Sequence, residues 1–160
     1  MPLEDILLLG DSRLYETCAP VDRSELLTLQ PVVDQLANLV LSFRAKYGAG
    51  RAIAAPQIGV MKRLIVMNIE KPVAIINPQI IQKSDEMMEL WDDCMSFPNL
   101  LVRLKRHKRI TLRFRDLNWK EHQWELEDDL SELLQHEYDH LDGILATMRA
   151  IDPASFKWRS

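Results

Sequence analysis

The sequence predicts an α+β domain, and three features carry that prediction. Apolar residues recur at helical spacing from Val32 to Phe43. From Leu64 to Leu126 the chain breaks into short apolar or alternating runs divided by turn residues, as strands do. A second helical segment, L-S-E-L-L-Q-H-E-Y-D-H-L-D-G, then follows. The 160 residues contain no repeat and no long linker, so one domain over residues 1–160 is expected.

Residues 1–23 read as extended or looped chain, punctuated by Pro2, Gly10 and Pro20. Val32, Val33, Leu36, Leu39, Val40 and Phe43 lie on one face of a helix. Pro31 suits its first turn and Gly48 its stop, with Arg44 and Lys46 near the end that favours cations. Strands are expected at 64–69, at 73–81 with a break at Asn77-Pro78, at 87–91 and at 100–104. Arg109–Arg115 is the clearest, since Ile110, Leu112 and Phe114 alternate with polar residues, one face buried and one solvated. His122–Leu126 pairs with it across the turn at 116–120. Asp129 and Glu132 make a capping-box-like start to the second helix, and Gly143 its stop.

Composition excludes several functions. Hydrophobic residues are 47% and charged residues 28%, as in an ordinary globular domain. Twenty Lys and Arg against 24 Asp and Glu give net −4, which excludes a generally basic nucleic-acid binder. No apolar run approaches 18 residues, so no membrane span is expected. The N-terminus has acids where a signal peptide needs cations, so a cytoplasmic chain is expected. Two cysteines are too few for a disulfide framework, and Cys18 reads as a buried thiol.

The chemistry concentrates in His136-Glu137-Tyr138-Asp139-His140. At about 100° per residue, His136 and His140 fall about 40° apart, so both imidazoles can reach one metal. Leu130, Leu133 and Glu137 continue the same side, which places the polar trio in the buried stripe. Burying three such groups unpartnered is costly, and a metal resolves the cost. A pair of histidines four apart also arises by chance, so a third ligand matters. Cys94, 42 residues upstream, is the candidate, although such a cysteine is more often an inert buried thiol. A thiolate with two imidazoles suits zinc or ferrous iron. In Gly50–Gly59, small residues allow close backbone approach and Gln57 offers an amide donor, though a tight turn under a sheet has the same composition.

Three segments together resemble the peptide deformylase family. Its patterns G-x-G-L-A-A-x-Q, E-G-C-x-S and Q-H-E-x-D-H appear here, in order, as G-R-A-I-A-A-P-Q, D-D-C-M-S and Q-H-E-Y-D-H. The likeness extends to I-L-L-L-G-D-S-R-L and A-P-V near the start, to R-I-T-L-R-F-R-D, and to H-L-D-G, leaving about the last fifteen residues outside. It implies antiparallel sheets around a central metal-binding helix. It implies one divalent metal on Cys94, His136 and His140, with water as fourth ligand: Fe2+ natively, with Zn2+, Ni2+ or Co2+ also able to bind. The implied substrate is an N-formylmethionyl peptide and the products are formate and a free N-terminus. No membrane and no nucleotide cofactor are implied. Glu137 would move the proton from water to the leaving amine. Gln57 and the backbone N–H of Met95 would hold the developing oxyanion. Ala52, Ile53, Asp92, Asp93 and Leu133 would contact the substrate, which lies as an extra strand.

The chain departs from the family pattern at Ala52, Asp92 and Asp93, where the family has Gly, Glu and Gly. Ala52 adds a methyl, Arg51 a charge, and Asp93 a negative charge beside the ligand thiolate. Either Arg51 and Asp93 point to solvent, or the mouth is remodelled and Asp92 with Asp93 disfavours acidic residues early in the substrate. The basic stretch 103–109 is a solvated face or a contact for an acidic surface such as ribosomal RNA. Two other readings stay open: an amidase of the same fold acting on a different N-formyl or small amide, and a silent binding paralogue.

Overall fold

The computed structural model describes residues 3–159. The first helix, α1 (Leu26–Tyr47), begins before the expected start. A 3-10 turn at Arg23–Glu25 leads into it, and the Glu25 side chain caps the Asp22 N–H at 2.9 Å. Pro31 therefore sits inside the helix and not in its first turn. The lost bond would have gone to the Leu27 carbonyl, on the solvent side where Leu27 is exposed. Val33, Leu36, Leu39, Val40 and Phe43 form the buried face, as their spacing requires. Gly48 ends the helix in the left-handed region, φ 70°. An 18-residue window within Arg23–Tyr47 reaches a mean hydropathy of 1.3, enough by length and composition to cross a bilayer, but the apolar face of α1 is packed on a sheet.

Eight strands follow: β1 (Ala52–Ala54), β2 (Leu64–Asn68), β3 (Pro72–Lys83), β4 (Met87–Cys94), β5 (Phe97–His107), β6 (Arg109–Arg115), β7 (Glu121–Glu127) and β8 (Phe156–Trp158). β1-β2-β3-β6-β7 form one antiparallel sheet and β4-β5-β8 another. The Asn77-Pro78 break is a bulge within β3. Asn77 takes a positive φ there and bonds both backbone groups of Val21 at 2.8 Å, which ties down the N-terminal segment. Thr111 of β6 is also buried, so its alternation is less clean than the sequence suggests.

The second helix, α2 (Asp129–Leu141), lies between the sheets. The large sheet is covered on both faces, and its strands divide residues between them by the period of two. Ile53, Leu64, Val66 and Ile76 meet α1. Ala52, Ala54, Ile65 and Ile75 meet Leu133, Leu134 and Leu141 of α2. The small sheet packs Val102 and Leu104 under Leu14 and Leu145. The expected capping box of Asp129 and Glu132 does not form. Asp128 is the N-cap without a side-chain bond, and the Glu132 carboxylate is taken by Arg51 instead. Leu130, expected on the buried stripe, is 37% exposed.

Gly143 ends α2 at φ 73°, where a Cβ would stand 2.6 Å from the Tyr15 carbonyl. Gly48 has a similar φ with nothing within 4 Å. Gly48→Ala should therefore cost about 1 kcal/mol, from the backbone alone. Gly143→Ala should cost at least about 2 kcal/mol more, because the chain must also shift. Urea midpoints of the two variants check the difference.

Candidate active site

β4 and α2 meet at one buried cluster. Cys94 is the last residue of β4, where a two-residue turn, Met95-Ser96, reverses the chain into β5. His136 and His140 come from successive turns of α2, their ring centroids 5.0 Å apart. One ligand atom from each of the three lies within 4.8 Å of the others, and Cys94 Sγ stands 3.3 Å from His140 Nε2. Ligand atoms of a tetrahedral N/S site lie about 3.5 Å apart, so the donor set fits a divalent ion. The fit extends to the ring geometry. His136 Nδ1 lies 2.9 Å from Asp92 Oδ2, and a carboxylate only accepts, so Nε2 is left for the cluster.

Glu137 stands beside the cluster, 3% exposed, with Oε1 lacking any partner. Burial pushes its carboxyl up to about 7, which poises it to take and return a proton near neutrality. Burial, then the neighbouring His136, lowers the His140 pKa well below its ordinary value. Burial raises the Cys18 thiol to about 11, as an inert interior thiol requires.

Gln57 lies in the 3-10 turn Ala55–Ile58 after β1. Its Oε1 accepts from the Ala54 N–H at 3.0 Å, which aims Nε2 at Ser96 Oγ (3.1 Å) and Cys94 Sγ (3.5 Å). A cavity of about 340 Å3 opens beside the cluster and takes in Gln57, Ala52, Asp92, Asp93, Met95, Leu133 and Glu137. Of the expected substrate residues, only Ile53 is outside it. Its side chain is fully buried toward α1, so only its backbone is near the cleft.

Asp92 and Asp93 do not act as one acidic pair. Period two along β4 puts Leu90, Asp92 and Cys94 on one face and Asp93 on the other. Asp92 is 2% exposed and binds Arg106 Nη2 at 3.0 Å as well as His136. Burial alone would raise its pKa, but His136 and Arg106 hold it well below the carboxylate range. Asp93 is half-exposed and pairs with Arg159, beyond β8.

Arg106, Asp139 and Arg149 are the site residues that the motif reading missed. Arg106 Nη1 donates to Asp139 at 2.7 Å, and Arg149 Nη2 donates to the same carboxylate at 3.0 Å. The basic stretch concealed Arg106, yet Val102, Leu104 and Arg106 alternate onto one buried face of β5, a signal that period two carries. Gln135 was also missed. Its amide holds both backbone groups of His107, at 2.8 and 3.0 Å, docking α2 on β5. Arg106→Met should leave two buried carboxylates short of a partner and destabilise the fold by about 3–5 kcal/mol. Zinc affinity should fall about 10–100-fold as His136 loses its orientation. Denaturation and competitive metal titration check the two effects.

The chain matches the Polypeptide deformylase family model over residues 3–155. It is 38% identical over 151 residues to the peptide deformylase of Dictyoglomus thermophilum, covering 94% of each chain. It is 35% identical over 153 residues to that of Bartonella tribocorum, covering 91% of this chain and 83% of the relative. Its structure superposes on the crystal structure of the Thermotoga maritima peptide deformylase with a TM-score of 0.83 at 31% identity, covering 92% of this chain and 97% of that one. With the Cys94, His136 and His140 cluster and the partnerless Glu137 in one cleft, these likenesses settle the family: the chain belongs to the polypeptide deformylases.

Proposed function

We propose that this chain removes the formyl group from the N-terminal methionine of nascent polypeptides, with Glu137 moving the proton. The buried, partnerless Glu137 carboxyl beside the Cys94, His136 and His140 cluster carries the reading. Cys94, His136 and His140 would hold one divalent metal, Fe2+ natively with Zn2+, Ni2+ or Co2+ able to replace it. When bound, that metal supplies a Lewis acid and an activated water. A thiol ligand needs a reducing compartment, and the cytoplasm is one.

The chain's own residues bind and orient the substrate. β1 and β4 are edge strands of their sheets, and both border the cleft. An extended peptide can add to the free edge of β1, directing its formyl end at Glu137. Ala52 does not block this path, because its side chain packs in the α2-facing core. Glu137 takes a proton from the attacking water and gives it to the amine as the C–N bond breaks. The Gln57 amide and the Met95 N–H supply donors for the oxygen that gains charge. An active-site amide aimed in this way favours turnover over silent binding.

The basic stretch 103–109 adds little support for ribosome contact. Arg106 is buried, Arg103 pairs with Asp152, and Lys108 pairs with Asp128. Among the described residues of the stretch, Lys105 is the exposed cation with no acid within 4.0 Å.

Glu137→Gln should keep stoichiometric metal and lose about 10²–10⁴ in formate release from formyl-Met-Ala-Ser. Metal analysis beside the assay separates loss of chemistry from loss of the ion, and substantial turnover would refute the role. Gln57→Leu should lower kcat by about 10²–10³ with KM changed far less, because its amide acts on charge absent from the ground state. Steady-state kinetics on the same peptide reads that split.

A further inference from the structure

Arg51 and Glu132 form an ion pair on the cleft wall that formyl hydrolysis itself does not use. Arg51 precedes β1 and Glu132 lies in the first turn of α2, 81 residues away, with Nη2 donating to Oε2 at 3.0 Å. Both residues line the cavity that reaches Cys94. They also line a smaller outer chamber beside Trp91 and Asp129, so the pair is a wall common to both.

The substrate's first side chain can reach this wall. Its Cβ branches from the atom bonded to the formyl nitrogen, so it begins within one helical turn of His136 and Glu137. One turn back along α2 are Glu132 and Leu133, and both face the cavity. On its other side the cavity is bounded by Phe43, Gly50 and Met95.

The two partners are unequally buried. The Arg51 side chain is 38% exposed and that of Glu132 is 14%. Arg51 can swing into water at little cost. Glu132 stripped of its cation would be left nearly buried and facing the Asp92 carboxylate, with no other ion-pair partner among the described residues. Exchange therefore has a sign. A substrate cation can take the place of Arg51 on Glu132, while a substrate anion can reach Arg51 only by abandoning Glu132.

We propose that the Arg51–Glu132 pair makes the first-residue pocket amphipathic, so that the chain accepts formyl peptides beginning with lysine as well as methionine. The lysine stem lies along Leu133 and its ammonium replaces Arg51 on Glu132. A wholly apolar pocket would instead reject the cation by about 100-fold or more. The proposal rests on the formyl-hydrolase reading and deepens it.

The test compares kcat/KM of the metal-loaded protein on formyl-Met-Ala-Ser, formyl-Lys-Ala-Ser and formyl-Glu-Ala-Ser. The lysine peptide should fall within about tenfold of the methionine peptide and at least about tenfold above the glutamate peptide. The double variant Arg51→Leu with Glu132→Leu should raise the Met-to-Lys ratio by about tenfold or more. A wild-type Met-to-Lys ratio above about 100, or equal rates for lysine and glutamate, overturns the proposal even if the double variant fails to fold. Absence of formate from every peptide would instead fell the hydrolase reading. In that case, calorimetry with Lys-Ala-Ser and Glu-Ala-Ser decides the pocket, and equal affinities overturn it.

Discussion

Arg106 enters the interior from β5 and meets two carboxylates, Asp92 on β4 and Asp139 on α2. All three are nearly inaccessible to water. Each charge taken out of water must be matched, and here one guanidinium matches two carboxylates. Arg149 supplies the balance at Asp139, and His136 takes the remaining reach of Asp92. The network joins the small sheet to the central helix and fixes the His136 ring in the same stroke. The cluster of Cys94, His136 and His140 sits at its inner end. The geometry of the site is thus inherited from the way the fold pairs its interior charges.

Helical spacing was legible where one face alone is buried. The residues from Val32 to Phe43 found α1, and the histidine pair found the inward face of α2. Legibility failed where tertiary contacts override a local signal. Asp129 and Glu132 have the spacing of a capping box, but a 3.0 Å pair with Arg51 outbids the cap for the Glu132 carboxylate. β1 and β8 are three residues each, too short to show a period. β4 and β5 run beyond the expected 87–91 and 100–104, because the tight Met95-Ser96 turn lets pairing continue to Cys94 and Phe97 and the other end of β5 pairs out to His107 opposite Met87.

The site follows the same rule. Cys94, His136, Glu137, His140 and Gln57 were legible from motif chemistry, and the fold brings them together. The residues that hold them were not. Arg106 was hidden in a run of cations, and only its alternation with Val102 and Leu104 separates it from its solvated neighbours. Gln135 looked like part of a motif, but its amide NH2 is committed to Ser131 and His107 and its oxygen accepts from the His107 N–H. Reading side-chain type assigned reactive atoms. Reading strand period would have been needed to assign the supports.

The two aspartates show what period two implies for sequence departures. Asp92 is one methylene shorter than the glutamate of the family pattern, yet it reaches both Arg106 and His136, so the change is absorbed inside the fold. Asp93 replaces glycine and faces the other way. An unpaired carboxylate there would add its field to the neighbouring Cys94 and to the cleft. The chain answers it with Arg159, carried past β8 to the mouth of the cleft. Because β8 pairs with β5, which also pairs with β4, the segment beyond the family likeness becomes part of the site's rim. Asp93, beside Cys94, and Arg159, just past the short C-terminal strand, thus form one ion pair that links β4 to the chain's last described residue.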